Sequence, residues 1–253
     1  MDLTPFELVF LFLTCFFGSA VSGIMGFAGG MVMLAGVAAF LETAYIVPIH
    51  AAISLGSNVS RVGLFFNHTR WDVVRYFAIG LVPGVVVGLM VFKILPKDFL
   101  KLLMGVFILV MTYLPQKKVA GAIRLVFFIP VAFVAGILGM LFGGTGPFTA
   151  PFFFRRKLIK ESFIATAGAT QTLSHLLKLF LFGLIGSNVL IYWRTLLILY
   201  VGVTSGTWFG KKLLNRISEK TFRLSVYTLL TLLAMNIIIP QIVRLWSGAM
   251  GSH

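Results

Sequence analysis

The chain has 253 residues, 59% of them hydrophobic and only 11% charged. An average soluble domain is about 45–50% apolar, and one soluble globule cannot hide the excess, so the composition is that of a membrane protein. Lys and Arg number 21 against 7 Asp and Glu, a net charge of +14, yet the basic residues sit in short breaks between apolar runs. That excludes the clustered soluble face of a nucleic-acid binder, and the single cysteine, Cys15, excludes an intrachain disulfide framework or a cysteine metal cage.

A bilayer core of about 30 Å takes about 20 apolar residues per helix. About eight runs approach that length: 5–25, 47–67, 72–92, 98–114, 120–142, 162–184, 190–210 and 219–245. The first lacks a basic n-region and a small-residue cleavage site, so it reads as a retained segment. Two shorter pieces, 29–41 and 147–154, follow the glycine-rich breaks Gly26-Phe-Ala-Gly-Gly30 and Gly143-Gly-Thr-Gly146. Residues 247–253 read as an appended remnant. The predicted class is an all-α polytopic membrane protein with about eight transmembrane helices and two short re-entrant or half helices.

The Lys and Arg distribution decides what the short pieces do. If each turns back on its preceding helix, both termini lie outside the cytoplasm, and 14 of the 21 basic residues, those at 70–75, 117–124, 155–160 and 211–223, lie inside. If each continues across, the charges at 155–160 and 211–223 move outside and the positive-inside bias inverts. Hairpins are therefore expected.

The chain also matches itself, at an offset of 117 early and 122 later. Gly26 falls on Gly143, Gly29 on Gly146, Ser57 on Ser174 and Arg61 on Lys178; later Trp71 falls on Trp193, and Gly80, Gly84 and Gly88 on Gly202, Gly206 and Gly210. Each half holds one hairpin and three further spans, so the halves, 1–115 and 116–246, begin on opposite sides of the membrane as inverted repeats. The two glycine ladders read as helix-packing faces.

The helix over 47–67 carries Ser54, Ser57, Asn58 and Arg61 at i, i+3, i+4 and i+7, one polar stripe on an apolar rod. Gln171, Ser174, His175 and Lys178 repeat the spacing in the second half. A cation at helix centre costs on the order of 2.5–3.5 kcal/mol on translocon scales, so it should face a cavity or a partner, and all seven carboxylates lie at or near helix ends. Cations facing a wet cavity without carboxylates suit an anionic ligand; the alternative is that Arg61 and Lys178 snorkel to the headgroups. The breaks offer a second anion-binding device, N–H groups at the start of a short helix, with Gly26, Gly29, Gly30, Gly143, Gly144, Thr145 and Gly146 as candidates and Thr145 as cap. Hinge or tight packing is their alternative role. Asn236 reads as a helix contact or as cavity lining.

The segments Ser22-Gly-Ile-Met-Gly-Phe-Ala-Gly-Gly30 and Gly136-Ile-Leu-Gly-Met-Leu-Phe-Gly-Gly-Thr-Gly-Pro147 resemble the paired glycine motifs of the TauE/SafE family, the sulfite exporters, over about residues 6–240. The resemblance implies a bacterial or archaeal inner-membrane protein that moves sulfur-containing anions such as sulfite, sulfonates or sulfoacetate. Ala28 stands where a third glycine is common, and Leu34 where a proline is usual, while Pro151 keeps that proline in the second half. The expected function is a transporter, an exporter by alternating access at a midplane cationic site, with an importer, a channel or a non-transporting assembly subunit as alternatives. No Gly-x-Ser-x-Gly or His-Glu-x-x-His motif occurs, so no enzyme, cofactor or metal is expected. The expected partners are a small anion, the lipid bilayer and, as an open point, a second copy in a homodimer.

Overall fold

The computed structural model describes residues 3–25, 28–113, 123–156, 158, 160–187, 189–213 and 219–250. Among these the only regular structure is helical: α1 (Pro5–Met25), α2 (Gly29–Phe40), α3 (Thr43–Leu64), α4 (Trp71–Ile94), α5 (Lys97–Tyr113), α6 (Phe128–Phe142), α7 (Gly146–Arg155), α8 (Lys160–Leu184), α9 (Trp193–Leu213) and α10 (Glu219–Met250). The sequence expects a helix from 120, whereas α6 starts at Phe128 behind a short 3-10 turn at Leu125–Phe127. Gly26 lies outside the described residues.

Local chemistry sets the helix starts. Thr4 and Glu7 form a capping box on α1: the Thr4 amide donates to Glu7 Oε2 at 2.8 Å, and the Glu7 amide donates to Thr4 Oγ1 at 3.3 Å. Asp72, Asp98 and Glu161 sit in the first turns of α4, α5 and α8, where a carboxylate meets the positive end of the helix dipole. This is why the acidic residues gather at helix ends.

Four segments are long and apolar enough to cross a membrane: Pro5–Ile24, Trp71–Ile94, Leu125–Phe142 and Val189–Gly210. The helices α3 and α8 are long but carry the polar stripes, which lowers their hydropathy. Large apolar side chains such as Ile79, Met90, Leu197 and Val201 point outward, so the outside of the bundle is oily, as a lipid-facing surface must be.

Both short pieces fold back. Phe10 stacks edge-on against Phe40 at 5.1 Å, and a Cβ on Gly36 would meet Thr14, so α2 runs antiparallel to α1. Phe128 stacks on Phe153 at 5.6 Å, so α7 returns along α6 in the same way. At 1.5 Å per residue, the 12 residues of α2 cover about 18 Å, too little to cross a 30 Å core.

The glycine ladders lock helices in close parallel pairs. A Cβ on Gly80, Gly84 or Gly88 of α4 would run into the backbone of Ile129, Phe133 or Ile137 on α6; one on Gly202, Gly206 or Gly210 of α9 would meet Phe12, Phe16 or Ala20 on α1. Two other pairs are antiparallel. In α5 and α10, Gly105 faces Ile237 and Ile238 while Tyr113 bonds Thr231 at 2.7 Å. In α3 and α8, Asn58 lies against Gly168 while the rings of His50 and His175 stand 5.6 Å apart.

These pairings sort the two ends of the bundle. Asp72 bonds Arg70 at 2.7 Å and lies 3.8 Å from Arg156, which also reaches the Ile123 carbonyl at 3.4 Å. The start of α4, the end of α7 and the approach to α6 therefore share one end, with the end of α5 and the start of α10. The start of α1, the end of α10 and the Tyr45–Tyr192 contact lie at the other.

Candidate functional site

The helices α3 and α8 pack with Asn58 against Gly168 and His50 against His175, and Ser54 and Gln171 line one cavity between them, so their stripes face each other instead of turning to lipid. Into the seam between them come the ends of both hairpins. A small cavity of about 20 Å³ forms there, lined by Ser54, Ser57, Asn58 and Arg61 from α3, Ala167, Gln171 and His175 from α8, and Gly30, Gly144, Thr145 and Gly146 from the breaks. That is room for about one water molecule.

The two breaks touch: a Cβ on Gly144 would stand 3.7 Å from the carbonyl of Gly30 and 3.6 Å from Met31 Sδ. Gly143 has φ +80°, and a Cβ there would come within 2.9 Å of both His50 Nδ1 and Leu34, so both its backbone angle and its surroundings demand glycine. Pro147 sits at the second position of α7, where its missing N–H costs nothing. Thr145 precedes the helix and its carbonyl accepts the Thr149 amide at 3.1 Å, while its hydroxyl accepts from Gln171 Nε2 at 3.3 Å. At α2 the capping position is Ala28, which has no side chain able to cap. The N-terminal ends of two short helices, rich in N–H groups without intrahelical acceptors, thus open on one cavity.

The cations lie inside the protein. Arg61 is 4% exposed and donates from Nη2 to Asn58 Oδ1, its neighbour one turn away; Ser57 Oγ accepts from Ser19 Oγ at 2.7 Å. Lys178 is fully buried and donates to the Gly143 carbonyl at 2.6 Å. It is not among the residues lining the cavity, and its ammonium instead closes the C-terminal end of α6. Snorkelling is excluded for both, because the heads turn inward. Because α3 and α8 run antiparallel, Arg61 and Lys178 follow their stripes toward opposite ends of the seam.

Several residues at the site are not in the sequence-derived set. His50 continues the α3 stripe at four residues before Ser54, a spacing visible in the sequence; its Nε2 lies 2.9 Å from the Gly30 carbonyl and 3.0 Å from Ser54 Oγ. Ser19 and Ser22 form a short polar stripe on α1. Ser174, which the second stripe did single out, is 2% exposed and stands beside Lys178 and Gly139. Asn236 is a correction: it lies on the exposed outer side of α10 and lines nothing. Among the described residues no carboxylate lines the cavity and no cluster of His, Cys, Asp and Glu could hold a metal.

A helical bundle with an apolar exterior, two fold-back hairpins and a buried cationic seam is a polytopic membrane protein built around an internal polar site. The model of the sulfite exporter TauE/SafE family matches residues 11–237, nearly the whole chain, and the chain belongs to that family. It is a transmembrane transporter. No curated protein and no solved structure matches it.

Proposed function

We propose that this transporter moves small sulfur-containing anions, of the sulfite, sulfonate or sulfoacetate type, out of the cell by alternating access. One observation carries this reading: a buried, carboxylate-free cavity on which Arg61 and the N-terminal ends of α2 and α7 converge. Positive helix ends and a guanidinium fit a compact oxyanion. With room for about one water, the cavity takes such an anion only after α3, α8 and the hairpin ends part, as a carrier must do and a standing channel need not.

An inverted repeat over 1–115 and 116–246 underlies the cycle. The helices α3 and α8 start at 43 and 160, an offset of 117, and α5 and α10 at 97 and 219, an offset of 122. Both equivalent pairs run antiparallel, as a two-fold axis across the helices requires, and the two ladder contacts exchange under the same offsets. The eight longer helices are the spans. The end carrying Arg70, Arg75, Arg124 and Arg156 is then cytoplasmic, in the inner membrane, with both termini outside. An interior-negative potential favours the exit of net negative charge by about 2.3 kcal/mol per charge per 100 mV.

Purified protein in liposomes, loaded with sulfite, sulfoacetate, methanesulfonate or chloride, tests the reading. Efflux of the sulfur anions above chloride is expected, stimulated by an interior-negative potential for whichever of them crosses with net negative charge. Absence of flux for the whole panel sinks it in favour of an assembly subunit.

A further inference from the structure

The end of the seam away from Arg61 gathers three buried polar atoms without a hydrogen-bond partner among the described residues: His50 Nδ1, His175 Nδ1 and Ser174 Oγ. Their side chains are at most 2% exposed. Orphaned buried polar atoms are rare, and three together mark a place that receives something polar.

His50 is the most constrained. Its Nε2 faces the Gly30 carbonyl, which can only accept, so Nε2 keeps its proton in either charge state of the ring. Titration is thereby confined to Nδ1, which lies beside Gly143, at the break that opens α7. A neutral ring presents a lone pair there, which repels an oxyanion. A protonated ring presents an N–H, which binds one.

The surroundings fix the sign of the coupling. From α8, His175 and Lys178 face this ring; from α2, α6 and α7 no titratable side chain approaches it among the described residues; Arg61 is eleven positions along α3. Lys178 and Arg61 oppose a further positive charge while no anion is present, and an anion removes that opposition. The two binding events therefore help each other, and the coupling is reciprocal.

Resting on the anion-transport reading above, we propose that the anion binds together with one proton, taken up at His50 Nδ1. A divalent oxyanion then crosses with one net negative charge and keeps its electrical drive outward. A sulfonate monoanion crosses as a neutral pair.

Calorimetric titration of the purified protein with methanesulfonate, which exchanges no proton between pH 6 and 8, tests this. The buffers are imidazole, bis-Tris and Tris, which differ in ionisation enthalpy and carry no sulfonate. One proton per anion and an affinity rising about tenfold per unit fall in pH are expected. In His50→Gln an amide keeps the donor to Gly30, and binding should become weaker at pH 6, independent of pH and free of proton uptake. Wild-type binding without proton uptake overturns the proposal whatever the variant's folding, as does undiminished uptake in His50→Gln. If methanesulfonate, sulfate and sulfite all fail to bind the wild type, the anion-site reading itself fails and this inference falls with it.

Discussion

Replacing Gly206 or Gly84 by alanine adds one carbon where the structure has none to spare. At Gly206 the new Cβ would stand 2.9 Å from the Phe16 carbonyl carbon and 3.0 Å from its Cα, and at Gly84 it would stand 2.8 Å from both atoms of Phe133. Carbon pairs prefer about 3.5–4.0 Å, so the paired helices must part by roughly 1 Å, and the obstacle is backbone, which has no rotamer to yield. Overpacking of this kind costs about 1–3 kcal/mol, against a gain of up to about 1 kcal/mol from alanine's better helix propensity. Gly63 and Gly183 provide the contrast, since a Cβ at either meets nothing within 4 Å; there only the propensity gain remains, and alanine should be neutral or stabilising. Equilibrium unfolding in mixed detergent micelles should separate the two classes by about 2 kcal/mol. The double variant Gly84→Ala with Gly206→Ala should be close to additive, because the ladders share no contact. Equal stability of Gly206→Ala and Gly63→Ala would refute the close packing of α1 on α9.

Arg61→Met retains the stem's packing and removes the charge, so anion flux should fall at least tenfold by comparison with wild type while thermal stability changes little; unchanged flux would remove Arg61 from the site. Lys178→Met strands the Gly143 carbonyl and should lower unfolding stability by about 1.5–3 kcal/mol, the range for a hydrogen bond to a charged group; an unchanged unfolding midpoint would show that this bond does not hold the break. Gly143→Ala combines a left-handed backbone angle with contacts to His50 and Leu34 and should cost about 1–3 kcal/mol, read in the same unfolding assay. Cysteines placed at Leu3 and Trp246 should react with an impermeant maleimide from outside the cell, the native Cys15 being buried; labelling confined to the cytoplasmic side would invert the topology.

Periodicity made much of the site legible. Ser54, Ser57, Asn58 and Arg61 had to share a face because 3.6 residues make a turn, and a polar face on an apolar helix points inward. Charge counting likewise anticipated that α2 and α7 turn back. Partners across the fold were not legible. The spacing that singles out Lys178 says nothing of the Gly143 carbonyl 35 positions earlier, and the Ser19–Ser57 bond joins residues 38 apart. Inverted halves also imply opposite directions for the two stripes, and the antiparallel packing of α3 on α8 directs Arg61 and Lys178 toward opposite ends of the seam. Asn236 failed because a single polar residue carries no period and so no direction.

The ladders also constrain how such a molecule can move. Each clamps a helix from the first half of the chain to one from the second, α4 to α6 and α1 to α9, so the two halves are interlocked like clasped hands. A rocking motion of one half against the other would have to tear both clasps open at backbone contact. The motion that leaves them intact takes place within the frame they form, with the helix-hairpin tips and the α3–α8 seam working as the valve and the two clamped pairs as its housing.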